Sequence, residues 1–185
     1  MNKQKLKSNK TNFNKESLSY KYLPEFVYGG IDGSVTTFAV VSGVVGASLS
    51  SSIVIILGFA NLFADGFSMA VSNYLSTRSV EDRDDCRKKI VPMKTAFATF
   101  VSFLLIGFIP LLSFVLAALT KNAYLIKNQF LFAFILTGIA FLIVGYFKGD
   151  VIGKQKTRAA LETLLIGSVA AGLAFLVGYL LRGLA

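Results

Sequence analysis

Long apolar stretches separated by short polar connections run through most of this chain of 185 residues. They follow a polar start and lie at about 26–48, 53–75, 94–118, 130–147 and 160–181. Each has roughly 18–25 residues, the length that a helix needs to cross about 30 Å of hydrocarbon at 1.5 Å per residue. The pattern predicts an all-α, polytopic membrane protein with five transmembrane helices.

The polar start and two of the three prolines refine this outline. Residues 1–23 are rich in Lys and Asn and predict a disordered cytoplasmic tail, with contact to anionic lipids as an alternative. Residues 24–185 then form one transmembrane domain. Pro24 suits the first turn of a helix, and Pro110, inside the third span, predicts a kink because it removes a backbone hydrogen bond.

The composition supports a membrane protein and excludes several other classes. Only 16% of the residues are charged, against about 25% in soluble domains. The net charge of +9 is compatible with nucleic-acid binding, but the basic residues cluster between apolar blocks and no aromatic–basic motif accompanies them, so no nucleic-acid partner is expected. The single cysteine, Cys86, provides no disulfide framework.

The distribution of Lys and Arg predicts the orientation. Of the 19 basic residues, all but Lys121, Lys127 and Arg182 lie in the tail, in the connection between spans two and three, or in the connection between spans four and five. Basic connections stay on the cytoplasmic side of a membrane. With five spans, this distribution predicts a cytoplasmic N-terminus and an outside C-terminus. The membrane is expected to be a prokaryotic cell membrane.

Two aspartates lie deep within apolar spans, where a charge is costly and usually functional. Asp32 shares a helix stripe of small and polar residues with Thr36, and Asp65 shares another with Met69 and Asn73. Such stripes face protein or water. Close helix packing explains the glycines and serines of both stripes equally well, but an ionised carboxylate is a poor packing device.

The spacing of Asp65 and Met69 suggests a metal site. These two residues are one helical turn apart, and a carboxylate oxygen beside a thioether sulfur favours a later transition metal over Mg²⁺ or Ca²⁺. The alternative is a methionine that simply fills space. Because the chain has no histidine, a carboxylate–histidine zinc site and the commonest catalytic base are both excluded. We expect that the protein is not an enzyme and has no permanently bound cofactor.

Other acidic residues are weaker candidates. Glu162, near the start of span five, either complements the helix dipole or faces the bundle and takes part in ion binding. The connection between spans two and three contains four acidic residues interleaved with basic ones, which form either solvated ion pairs or a cytoplasmic patch that collects cations: Glu81, Asp82, Asp84 and Asp85.

The segments around both aspartates resemble one known family. YGGIDGSVTTFAVVSGVVGA and ILGFANLFADGFSMAVSNYLSTRS are similar to the first two helices of the vacuolar iron transporter (VIT) family of divalent metal transporters. IGFIPLL and RAALETLLIGSVAAGLAFLVGYL resemble its third and last helices, so that the resemblance covers nearly all of residues 24–183.

This resemblance implies a five-helix protomer that works as a homodimer. It would export Fe²⁺ or Mn²⁺ from the cytosol in exchange for protons, with Asp32 and Met69 lining the path near the middle of the bilayer. Two features depart from plant and yeast-type members: the connection from Thr77 to Lys94 has no glutamate series, and Ser72-Asn73-Tyr74 replaces Gly-Glu-Tyr. Both features resemble those of the shorter, bacterial members of the family. A non-metal ion channel and a structural membrane partner remain the alternatives.

Overall fold

The computed structural model describes residues 22–83 and 90–184, with the side chains of 81–83 left undescribed. Six α-helices make up this part of the chain: α1 (Leu23–Gly46), α2 (Ser51–Arg83), α3 (Pro92–Gly107), α4 (Ile109–Thr120), α5 (Ala123–Ile152) and α6 (Lys156–Leu181). A 3-10 turn, Arg182–Leu184, follows α6. No strand occurs within the described residues, and the predicted all-α class is confirmed. The tail predicted to be disordered lies outside the described residues, except for its last two positions.

Four of these helices are long and apolar enough to cross a membrane on their own: α1, α2, α5 and α6. The fifth candidate span consists of α3 and α4 together, which join at an angle of 51°. Pro110 is the second residue of α4, and its missing N–H and rigid ring account for the break. The predicted kink is therefore confirmed.

Helix α2 is longer than a bilayer requires. Its 33 residues span about 50 Å, against about 30 Å of hydrocarbon. The helix continues from the apolar span through Thr77 to Arg83, a segment whose charges had suggested a loop.

The core lies where α1 crosses α3, α5 and α6. Phe38 and Val41 of α1 are buried against Phe103, Phe141 and other apolar side chains. Helix α2 lies at the edge and packs mainly on α3. Because α1 is central and α2 peripheral, any site between them is supported from one side and open on the other.

The two ends of the bundle differ in charge. Helix α1 begins and α2 ends at one of them, which we call the basic end. The basic residues of the described chain at this end are Arg78, Arg83, Lys94, Lys148, Lys154, Lys156 and Arg158. The opposite end has Lys121, Lys127 and Arg182. The basic end is the one that the sequence predicts to face the cytoplasm.

Candidate metal-binding cavity

A cavity of about 430 Å³ opens between α1 and α2 at the basic end. Five of its seven lining residues have polar side chains and one has a thioether: Pro24, Glu25 and Tyr28 come from α1, and Met69, Ser72, Asn73 and Ser76 from α2. Oxygen and sulfur donors thus surround one space. Two of the predicted site residues, Met69 and Asn73, are part of it.

The two intramembrane aspartates lie one turn further from the basic end than this lining. Asp32 follows Tyr28 by four residues and Asp65 precedes Met69 by four, and both are half-buried. The carboxylates are close enough for Asp65 to act electrostatically on Asp32. Two like charges at membrane depth repel each other, and a cation between them would remove that cost. The structure therefore brings together the aspartates that the sequence singled out.

The glycines of α1 determine which way Asp32 faces. A methyl group placed on Gly33 would lie 2.5 Å from the Phe103 carbonyl oxygen, so this face of α1 is pressed against α3. Asp32 precedes Gly33 by one residue and is therefore turned about 100° away around the helix. Thr36, the accessory candidate on the same stripe, donates its hydroxyl hydrogen to the Asp32 carbonyl oxygen at 2.9 Å.

The side chain of Asn73 is engaged by its neighbours. Its Nδ2 donates to Thr99 Oγ1 on α3 at 2.6 Å, and its Oδ1 accepts a hydrogen bond from Thr77 at 3.3 Å. An amide oxygen has two lone pairs, so Oδ1 retains one acceptor position. Asn73 thus joins α2 to α3 and also lines the cavity.

Glu25 is a cavity residue that the sequence reasoning missed. It is half-buried in the first turn of α1, and its Oε2 is buried without a hydrogen-bond partner. Buried acceptors of this kind normally bind water, an ion or a donor. Glu25 precedes Asp32 by seven residues, two helical turns, and this spacing was the available signal. Further along, Asn61 of α2 likewise has a buried, unpartnered Nδ2.

Among the described residues, the weaker acidic candidates do not line the cavity. Glu162 is half-exposed and pairs with Arg158, the Oε1–Nε distance being 3.6 Å. It lies beyond the first turn of α6, so neither the helix-dipole interpretation nor the ion-binding one gains support. Glu81 and Asp82 lie in the last turn of α2, but their side chains are outside the description. Asp84 and Asp85 lie outside the described residues.

The metal-binding side chains of one chain do not provide a complete set of ligands for a metal ion. Within residues 22–83 and 90–184, no three Asp, Glu or Cys residues form a group that could hold a metal ion. Asp32, Asp65 and Met69 are supplemented only by neutral oxygens and Glu25. The cavity is also open at the side, since two of its lining residues, Ser72 and Ser76, are exposed on the surface of α2.

Comparison with known proteins places the chain in a family. The sequence model of the VIT family matches residues 23–89 and 82–179, two segments that overlap at the connection between α2 and α3. A vacuolar iron transporter of Plasmodium berghei is 29% identical, with 90% of this chain and 84% of the relative covered. One of Toxoplasma gondii is 26% identical (91% and 77% covered). Vacuolar iron transporter 1 of Arabidopsis thaliana is 26% identical, with 82% of each covered.

These relatives are transporters and not enzymes, in agreement with the expectation from the sequence. The match to the family model extends over nearly the whole described bundle, including both aspartate-bearing helices. This 185-residue chain is an integral membrane protein that belongs to the VIT family.

Proposed function

We propose that this protein exports Fe²⁺ or Mn²⁺ from the cytosol in exchange for protons. The observation that carries the proposal is the pair of half-buried aspartates, Asp32 and Asp65, directly beyond a cavity lined by Met69. Nothing else in the described spans combines charge, membrane depth and access from one end of the bundle. The names of the relatives support a metal as the substrate.

The donor set suits a divalent transition metal that is held briefly. Carboxylate oxygens bind any divalent cation, and the Met69 sulfur adds a preference for softer ions over Mg²⁺ and Ca²⁺. We assign entry to the cavity, where Glu25 and the hydroxyls of Ser72 and Ser76 would receive the ion. Asp32 and Asp65 would then hold it deeper in the bundle.

The same carboxylates would couple metal movement to protons. An arriving divalent cation favours ionised carboxylates, so protons are released when the metal binds. Once the metal leaves, two neighbouring charges at membrane depth favour proton uptake from the opposite side. With the basic end in the cytoplasm, this cycle exports metal and imports protons.

A second copy of the chain would complete the site. Ser68, Ser72 and Ser76 form an exposed polar stripe on α2, at the open side of the cavity. Polar stripes on membrane helices are normally covered by protein or water. We propose a homodimer in which these faces of two protomers approach each other, which would double the ligand set around the axis. The predicted prokaryotic cell membrane remains a prediction, since the relatives named above are eukaryotic.

The test is transport by purified protein in liposomes that contain a metal-sensitive dye and a pH dye. We expect Mn²⁺ or Fe²⁺ flux with opposite proton flux, which is lost in Asp32→Asn and Asp65→Asn and reduced in Met69→Ala. Asp150→Asn is the matched control, because Asp150 is exposed and forms an ion pair with Lys156 at 2.7 Å, away from the cavity. Full transport by both aspartate variants would rule out the carboxylate mechanism. Metal flux without proton flux would indicate a channel, and absence of flux in folded wild-type protein would indicate a structural role.

A further inference from the structure

One segment of α3 lies behind both walls of the cavity. Helices α1 and α2, which form those walls, each pack more extensively on α3 than on each other. The α3 residues that face them near the cavity are small and hydroxyl-bearing: Thr95, Thr99 and Ser102, all fully buried. The separation of the walls therefore depends on how each helix is held against α3.

The α2 wall is held by hydrogen bonds. Asn73 donates from Nδ2 to Thr99 Oγ1 at 2.6 Å, one helical turn from Met69. Thr77 donates to Asn73 Oδ1 at 3.3 Å, and its hydroxyl lies 3.3 Å from that of Thr95. The Thr99 hydroxyl hydrogen is donated to the Thr95 carbonyl oxygen at 2.9 Å, so its oxygen is free to accept from Asn73.

The α1 wall is held by close backbone contact with the same residue. A methyl group on Gly29 would lie 2.6 Å from the Thr99 carbonyl oxygen and 3.1 Å from its Cα. Ser102 Oγ donates to that carbonyl oxygen at 3.0 Å. Gly29 lies between Glu25 and Asp32 on α1, one turn from each. Thr99 thus contacts α2 through its side chain and α1 through its backbone.

We propose that Thr99 is a positioning residue that sets the distance between the Met69-bearing and Asp32-bearing walls, and thereby the fit of the site to a divalent cation. The metal part of this inference rests on the proposed function, whereas the positioning part does not. Thr99 need not touch the ion. Its hydroxyl fixes Asn73, and the rigid turn from Asn73 to Met69 transmits that position to the sulfur.

The test compares three threonine variants of the full-length protein. Thr99→Val removes the hydroxyl at nearly constant volume, and Thr99→Ser keeps it. Thr137→Val is the matched control, because Thr137 is equally buried in α5 but its hydroxyl bonds only to the Ala133 carbonyl oxygen of its own helix, at 2.7 Å. We expect Thr99→Val to raise the Mn²⁺ concentration for half-maximal transport about three- to tenfold, the size of one interhelical hydrogen bond in a membrane, with the maximal rate within about twofold. Thr99→Ser and Thr137→Val should match the wild type.

A second measurement follows the walls without any metal. Spin labels are attached at Phe26→Cys on α1 and Leu75→Cys on α2, both exposed positions, in a Cys86→Ser background that removes the only native cysteine. Pulsed electron resonance then reports the distance between the two helices. We expect Thr99→Val to broaden or lengthen this distance and Thr137→Val to leave it unchanged.

The outcomes separate this inference from the proposed function. Wild-type protein that moves no metal, together with a distance shift in Thr99→Val, would refute the function and support the positioning role. An unchanged distance and unchanged half-saturation in folded Thr99→Val would overturn the inference, as would a Thr99→Ser variant as impaired as Thr99→Val. If Thr99→Val does not fold, Thr77→Val removes the second hydrogen bond to Asn73 and should produce a smaller shift in the same direction; no shift would again overturn it.

Discussion

Replacing Gly33 by alanine should destabilise the bundle, because α1 meets the backbone of α3 at this point. The added methyl group would lie 2.5 Å from the Phe103 carbonyl oxygen and 2.9 Å from the Phe103 Cα. Neither atom belongs to a flexible side chain, so relief requires the helices themselves to separate. Ordinary van der Waals contact begins at 3.4 Å, which means a local displacement of roughly 1 Å.

Overpacking of this kind costs about 1–3 kcal/mol, a factor of roughly 5–150 in the folding equilibrium. The same displacement would carry Asp32, the adjacent residue, out of position. A 1 Å misplacement at a functional site can cost about 10²-fold in rate. We therefore expect Gly33→Ala to lower both the free energy of unfolding and the rate of metal transport.

Gly172→Ala is the matched control, since a methyl group on this α6 glycine would meet nothing within 4 Å. Alanine is also the better helix former, by about 1 kcal/mol in an exposed helix, so this variant should be as stable as the wild type or more so. Unfolding of both variants in mixed detergent micelles, followed by circular dichroism, measures the difference. Equal unfolding midpoints for Gly33→Ala and Gly172→Ala would refute the close contact between α1 and α3.

Three further substitutions test residues whose surroundings differ. Glu25→Gln removes the charge of the carboxylate whose Oε2 is buried without a partner, and it should raise the Mn²⁺ concentration for half-maximal transport at least about tenfold. An unchanged concentration for half-maximal transport would exclude Glu25 from the transport path. Glu162→Gln breaks only the ion pair with Arg158, so we expect normal transport and a loss of stability below about 0.5 kcal/mol. Loss of transport would instead indicate that Glu162 takes part in ion binding. Ser113→Ala removes the 2.7 Å hydrogen bond from α4 to the Gln129 carbonyl oxygen on α5 and should cost about 0.6–1 kcal/mol in the micelle unfolding assay. Thr120→Ala should cost less, because the Thr120 hydroxyl donates within its own helix and accepts only a long bond, at 3.5 Å, from the Asn122 N–H.

The spans could be predicted because length and hydropathy alone decide whether a helix crosses a bilayer. The extension of α2 from Thr77 to Arg83 could not, since its charged residues are as typical of a solvated loop as of a helix that leaves the membrane. Glu25 was missed for a related reason. It lies just before the first apolar stretch, although it is seven residues from Asp32 and on the same side of α1.

Helical periodicity also limited the prediction of the site. It placed Asp65, Met69 and Asn73 on one stripe of α2 because it orders residues around a single axis. It contains no information about which helix lies opposite. That Asn73 bonds to Thr99, 26 residues away, follows from the packing of α2 on α3, which only the structure reveals.

The unbroken course of α2 has a mechanical consequence. Asp65 and Arg83 belong to one continuous helix, and the 18 residue steps from one to the other correspond to a rod of about 27 Å. A tilt of about 10° around Asp65 would move the far tip by roughly 5 Å, but Met69, one turn from the pivot, by only about 1 Å. Glu81 and Asp82 lie in that tip. A small displacement of the Met69 sulfur therefore accompanies a much larger displacement of the last turn of α2. A contact made at that last turn acts on the Met69 wall with a long lever arm.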